Sequence, residues 1–183
     1  MDTILDRPWT TESFLAWEDR QEFKYEFDGQ RVIPMTGGTL AHQRIVANIW
    51  LALLGLLEGK PLMAVQEMRL RIGRQIRYPD VAICAGPLDQ TTRTLTDALA
   101  LFEVLSDDTA TTDRVQKLID YAAVPSLRSY ALLEQTKVAA TLFQRKSGGE
   151  WIASAHTDGS LVLPGIDVTL PLVDLYRGLT FAA

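Results

Sequence analysis

The sequence predicts an α+β fold, a curved mixed β-sheet flanked by helices. Three observations carry this. Two segments repeat their apolar residues at helical spacing, and at least eight shorter ones read as strands. Asp28-Gly29 and Gly73-Arg74-Gln75 sit between strand-like runs, as hairpin turns do. The chain has 183 residues, 47% hydrophobic and 22% charged, enough for one domain with a sizeable core.

Taken in order, a short helix is expected from Thr10 to about Trp17, with Thr10 or Thr11 as its cap. Glu22–Phe27 and Arg31–Met35 read as strands around Asp28-Gly29, and Gly37-Gly38 then breaks the chain. The longest helix is expected from Leu40 to Glu58. Ile45, Ile49, Leu53, Leu56 and Leu57 form one stripe, and Val46, Trp50 and Leu54 a second. A helix apolar on two sides is buried twice or packs on a second copy, which makes a homodimer one expectation.

Leu62–Ile72 and Ile76–Cys84 read as a strand pair, with Met68, Leu70 and Ile72 on one face and Arg69 and Arg71 on the other. Leu99–Leu105 is expected as a buried strand. Thr112–Ala123 is expected as a helix whose inner face is Val115, Leu118, Ile119 and Ala122. Strands at Arg128–Leu133, Lys137–Gln144, Trp151–His156 and Leu161–Leu163 follow, and Pro171–Tyr176 closes the chain as a helical turn.

Composition narrows the chemistry. One cysteine, Cys84, excludes an intramolecular disulfide. With only His42 and His156 besides, a zinc centre lacks ligands, so a hard ion such as Mg²⁺ or Mn²⁺ is the metal to expect. The net charge is -5 and the pI about 5.0, which argues against broad binding of nucleic acid through charge alone. Arg69, Arg71, Arg74 and Arg77 are the densest positive segment and can form a local groove or a solvated strand face. No apolar run approaches the roughly 20 residues of a membrane span, and the N-terminus does not read as a signal peptide. A cytoplasmic location is the expectation.

Two carboxylates stand in apolar strands. Glu103 lies within Ala98–Leu105 on the face of Leu101 and Leu105, and Asp80 opens Val81-Ala82-Ile83 after Pro79. An unpaired buried carboxylate costs several kcal/mol or takes up a proton, and a bound cation removes that cost. Asp80, Glu103 and the backbone carbonyl of Val104 are therefore candidate metal ligands. The alternatives are that Asp80 is a turn residue and Glu103 the partner of Arg69 or Arg71. Lys117, on the helix after Glu103, reaches the site or pairs with Asp113 on its own helix.

The residues Tyr25-Glu26-Phe27-Asp28-Gly29, Met35-Thr36-Gly37-Gly38-Thr39, Ala41-His42-Gln43-Arg44-Ile45 with Asn48, Tyr78-Pro79-Asp80-Val81, Glu103-Val104-Leu105-Ser106, Asp113, Lys117, Tyr121 and Pro125–Tyr130 recur in this order and spacing in a known family. On them the chain resembles the Uma2 family of restriction-endonuclease-like proteins, also catalogued as the domain of unknown function DUF820. The resemblance spans nearly the whole chain. It implies the PD-(D/E)xK nuclease fold, with Asp80 and Glu103 holding Mg²⁺ or Mn²⁺ and DNA as substrate. Leu105 stands where that superfamily commonly carries lysine, and Lys117 matches the lysine supplied by the following helix. Glu26 and His42 also fall on family motif positions. Glu26 approaches the metal or is a surface strand carboxylate, while His42 is a catalyst or a hydrogen-bonded core residue. Gln30 and Asp107-Asp108 depart from the family pattern. The second departure adds negative charge that either supplies metal oxygens or repels phosphate. Three functions follow: a metal-dependent endonuclease, a non-catalytic nuclease-fold module for binding or assembly, or a hydrolase acting on a nucleotide or RNA.

Overall fold

The computed structural model describes residues 8–35, 37–105 and 111–181. Asp107-Asp108 and the side chain of Asp113 lie outside the described part.

The first helix, α1 (Thr11–Glu18), starts in a capping box: Thr10 Oγ1 accepts from the Ser13 N–H, and Ser13 Oγ accepts from the Thr10 N–H. Strands β1 (Tyr25–Phe27) and β2 (Val32–Pro34) form the antiparallel hairpin expected at Asp28-Gly29. Asp28 Oδ1 accepts from the N–H groups of Gln30 and Arg31, and Gly29 takes the positive φ of 94° that the turn needs. Helix α2 (Leu40–Leu56) begins at Thr39, whose hydroxyl accepts from the His42 N–H.

The predicted pair Leu62–Ile72 and Ile76–Cys84 is one long hairpin, bent in the middle of both arms. The first arm is β3 (Leu62–Gln66) and β4 (Arg69–Ile72); the second is β5 (Gln75–Arg77) and β6 (Val81–Ala85). The breaks have local causes. Glu67 takes a φ of 45°, and Pro79 lacks the N–H that a ladder requires. As a result β4 and β5 pair in one sheet while β3 and β6 pair in another.

After β7 (Thr94–Leu95) come β8 (Ala100–Val104), α3 (Thr111–Ala122), β9 (Ser129–Leu133), β10 (Ala140–Arg145), β11 (Trp151–His156), β12 (Ser160–Leu163), β13 (Val168–Pro171) and α4 (Leu172–Leu175). The larger sheet runs β11-β10-β9-β8-β6-β3, with β8 and β9 parallel and the rest antiparallel. A second sheet runs β2-β1-β5-β4-β7, and β12 and β13 form a ribbon. The α+β class and the mixed sheet are as expected, and β7 and β13 are additional strands.

Three apolar clusters order the layers. On one face of the larger sheet, Ile45, Ile49 and Leu53 of α2 pack with Phe102, Ala131 and Leu142 and with Leu161, Leu170 and Leu175 of the ribbon and α4. Asn48, which interrupts the apolar run of α2, donates to the carbonyls of Leu175 and Arg177 and so ties the chain end down. On the other face, Ala82 and Leu101 meet Tyr121 of α3 and Leu70 of the smaller sheet. The far side of that sheet is covered by α1, where Phe14 stacks on Phe27 at 5.1 Å between ring centroids.

Two helix faces differ from expectation. Leu118 packs inward as expected, whereas Val115 and Ile119 are exposed, and Lys117, Asp120 and Tyr121 complete the inner face of α3. On α2, Leu54 of the second stripe and Leu56 of the first are exposed, as is Leu51 beside them, so both stripes are only partly covered.

Candidate functional site

The site lies at the seam where the bent hairpin passes from one sheet into the other. In the β6–β8 ladder Val81 pairs with Phe102, so Asp80 and Glu103 are the next opposed positions. Opposed positions of an antiparallel pair lie about 4.5–5.5 Å apart at Cα. The two carboxylates then reach for different elements. Asp80 Oδ2 accepts from the Val104 N–H at 2.7 Å and meets His42 Nε2 at 3.3 Å. Glu103 Oε1 accepts from the Tyr121 hydroxyl at 2.7 Å and lies 3.5 Å from Lys117 Nζ.

Glu26 joins from β1. Its Oε1 lies 3.2 Å from Lys117 Nζ and accepts from the Tyr78 N–H, while its Oε2 accepts from Arg77 Nη1 at 2.9 Å. Lys117 thus bridges two carboxylates from different sheets. Glu26 is buried, which excludes the surface reading, and Lys117 points inward. Glu103 is partnered by Lys117 and Tyr121, so neither Arg69 nor Arg71 is its counterion.

The arginine groove is corrected as well. Arg77 is fully buried and spent on Glu26 and Asp120, so it cannot touch a nucleic acid. Arg69 is held by Glu18, Asp19 and the Tyr78 hydroxyl, and Arg71 pairs with Glu12.

Charge in this cluster is unbalanced. Burial pushes the Glu103 carboxyl up; Lys117 opposes this, while Asp80 and Glu26 add to it, and the outcome is about 7. The hydrogen bond to Asp80 raises His42 above its ordinary 6.5 despite burial, and the charges of Asp80, Glu103 and Glu67 add to that rise. Burial lifts the Tyr121 phenol well above its usual range, so it stays a donor to Glu103. The ring of His42 is closely walled: a Cβ at Gly38 would lie 2.7 Å from Nδ1. That accounts for a glycine at this position, beyond the turn.

This donor set fits a hard divalent cation. Glu103 carries a charge that its burial disfavours, and a cation held between it and the opposed Asp80 would relieve this. The Val104 N–H points toward Asp80 while the Leu105 N–H bonds Leu133 on the other side, so strand alternation turns the Val104 carbonyl toward Asp80 too. Among the described residues no group of three His, Cys, Asp or Glu side chains converges. The remaining ligands would be backbone, water and substrate oxygens, as is usual for Mg²⁺.

Sequence reasoning missed the roles of Tyr121, Asp120 and Arg77. Tyr121 and Asp120 were legible in principle, since they lie four and three residues after Lys117 and so on its helix face.

The architecture has a solved counterpart. A crystal structure from Anabaena variabilis, described as a putative nuclease belonging to DUF820, superposes with a TM-score of 0.76 and covers 92% of this chain and 98% of its own. At 16% identity it establishes a shared fold. The family model Uma2, described as "Putative restriction endonuclease", matches residues 11–172, and the chain belongs to this family. Two uncharacterized proteins of Synechocystis sp. are similar. One, slr1290, is 32% identical over 176 residues, covering 93% of this chain and 92% of the relative. The other, sll1609, is 28% identical over 149 residues, covering 78% and 84%.

Proposed function

We propose that the protein is a Mg²⁺- or Mn²⁺-dependent endonuclease that hydrolyses phosphodiester bonds of DNA. The observation that carries this reading is the opposition of Asp80 and Glu103 beside the Lys117 ammonium. Family membership supports it.

In this reading Asp80, Glu103 and the Val104 carbonyl hold the ion. When bound, such an ion polarises the phosphate and stabilises charge on the attacking and leaving oxygens. Tyr121 fixes Glu103 through Oε1 and so would hold this carboxylate in place for the ion. His42 and the Val104 N–H both hold Asp80 Oδ2, so His42 orients a ligand. Lys117, steadied by Glu26, orients the attacking water or stabilises charge on the phosphoryl oxygens. Hydrolysis forms a bond from water oxygen to phosphorus, breaks the bond to the leaving oxygen, and leaves that oxygen with a proton.

Cutting both strands of a duplex favours two copies, and the exposed Leu51 and Leu54 of α2 offer a face for a homodimer. Light scattering tests this. No helix among the described residues is long and apolar enough to cross a membrane, and a cytoplasmic location suits a DNA substrate.

The test is cleavage of plasmid DNA by purified protein with Mg²⁺ or Mn²⁺. Glu103→Ala and Asp80→Ala are expected to lose at least about a hundredfold in rate. Cutting by Glu103→Ala at the wild-type rate would rule the mechanism out. The rival reading, a non-catalytic module, is favoured by the direct Lys117–Glu103 ion pair, which neutralises a proposed ligand. Calorimetry showing no Mg²⁺ or Mn²⁺ binding would support it.

A further inference from the structure

Lys24 lies two residues before Glu26, so strand alternation puts both on one side of β1. Tyr25 and Phe27 face α1, whereas Glu26 faces Lys117. Lys24 is therefore on the side of the site. Its ammonium meets Glu67 Oε2 at 2.8 Å and the Glu67 carbonyl at 3.2 Å, and it lies 5.5 Å from the centroid of the Tyr78 ring.

Glu67 marks the edge of the site. It extends the β3–β6 ladder by one position, with its N–H donating to the Asp80 carbonyl at 3.1 Å. Glu67, Asp80 and Glu103 thus follow one another across three adjacent strands. Glu67 takes a φ of 45°, which L side chains rarely adopt, and such strain collects at functional sites. The bend fixes Glu67 so that its carbonyl and carboxylate both face Lys24.

The Lys24–Glu67 pair is about half exposed, at 46% and 43% of the side chains. Exposed ion pairs contribute little to stability, so a competing anion can separate this one. A polyanion approaching Asp80, Glu103 and Glu26 meets repulsion at the seam. Arg77, Arg69 and Arg71 are engaged elsewhere, whereas Lys24 sits at the rim in a pair that is easily exchanged.

We propose that Lys24 is a substrate-binding residue that leaves Glu67 to grip a backbone phosphate of the nucleic acid beside the scissile bond. Glu67 holds the ammonium at the rim until substrate arrives. This rests on the nuclease reading above.

The test is fluorescence anisotropy of a labelled 20-base-pair duplex, and of its single strand, with the full chain in EDTA at a series of salt concentrations. Lys24→Ala is expected to weaken binding about tenfold. The slope of log affinity against log salt should fall by about 0.9 on duplex or 0.7 on single strand. Lys24→Arg should retain most of the affinity, and Glu67→Gln should bind about threefold more tightly, because the ammonium is released. Circular dichroism checks that each variant is folded. Wild-type binding with an unchanged slope in Lys24→Ala overturns the proposal and leaves the nuclease reading standing. Equal weakening by Glu67→Gln also overturns it, since the pair would then be purely structural. Absence of binding to either nucleic acid by the wild type overturns the proposal, and plasmid cleavage with Mg²⁺ or Mn²⁺ then decides the nuclease reading separately.

Discussion

Arg77 and Asp120 form a buried ion pair in which Nε and Nη2 of the arginine both donate to Asp120 Oδ2, at 3.0 and 2.6 Å. Asp120 Oδ1 accepts from Gln75 and Gln116 as well. This network fastens α3 to the smaller sheet. Since Lys117 lies one turn earlier on the same helix, the network also sets where its ammonium stands. Removing one partner of a buried pair strands the other, at about 3–5 kcal/mol. Asp120→Ala should therefore lower the melting temperature by about 10 °C, at about 2–4 °C per kcal/mol for this chain length. A fall under about 2 °C by calorimetry would contradict the account.

Glu103 gives the metal-free protein a pH dependence. Its folded pKa is raised from 4.5 to about 7, so its contribution to stability is fully present below 4.5 and is lost as pH rises through 7. At about 1.4 kcal/mol per pH unit, the ceiling is about 3 kcal/mol. Glu103→Gln should be more stable than wild type at pH 8, and the gap should close by pH 4.5. Urea denaturation in EDTA measures this; a constant gap would refute it.

Divalent ions should act in the opposite sense. If Asp80 and Glu103 hold the cation, binding displaces a proton, so the rise in melting temperature with Mn²⁺ should grow between pH 5 and pH 7.5. A pH-independent rise would place the ion elsewhere.

His42 should titrate above 6.5, because the Asp80 carboxylate holds its protonated form. Its contribution to stability is fully present below 6.5 and is lost as pH rises through the higher folded value. Asp80→Asn should bring the titration back toward 6.5 or below, followed by NMR of the imidazole. A wild-type value at or under 6.5 would count against the pair.

Tyr121→Phe removes a donor from Glu103 and leaves the packing. Losing a hydrogen bond to a charged group costs about 1.5–3 kcal/mol. Without this donor Glu103 takes up its proton more readily, so the acidic limb of the pH–rate profile should move upward. An unmoved limb would separate Tyr121 from the reaction.

Much of this was legible in the sequence. Glu103 stands out because apolar neighbours on both strand faces leave a carboxylate no water, and Asp80 follows a proline that must end a strand. The Asp28-Gly29 hairpin and the caps at Thr10 and Thr39 are local, and local chemistry specifies them. The face of α3 was misread for the opposite reason. Val115 and Ile119 obey the apolar period, but the buried charges of Arg77, Glu26 and Glu103 demand counterions, and this turns Lys117, Asp120 and Tyr121 inward.

The sequence by itself determined which segments become helix or strand and which carboxylates cannot be left alone, since periodicity and desolvation act along the chain. Only the tertiary structure decided the counterions. Arg77 was lost to the interior, Lys24 was placed at the rim, and the hairpin bent at Glu67 and Pro79 to bring two sheets together. Pairing across elements depends on distances that no stretch of sequence contains.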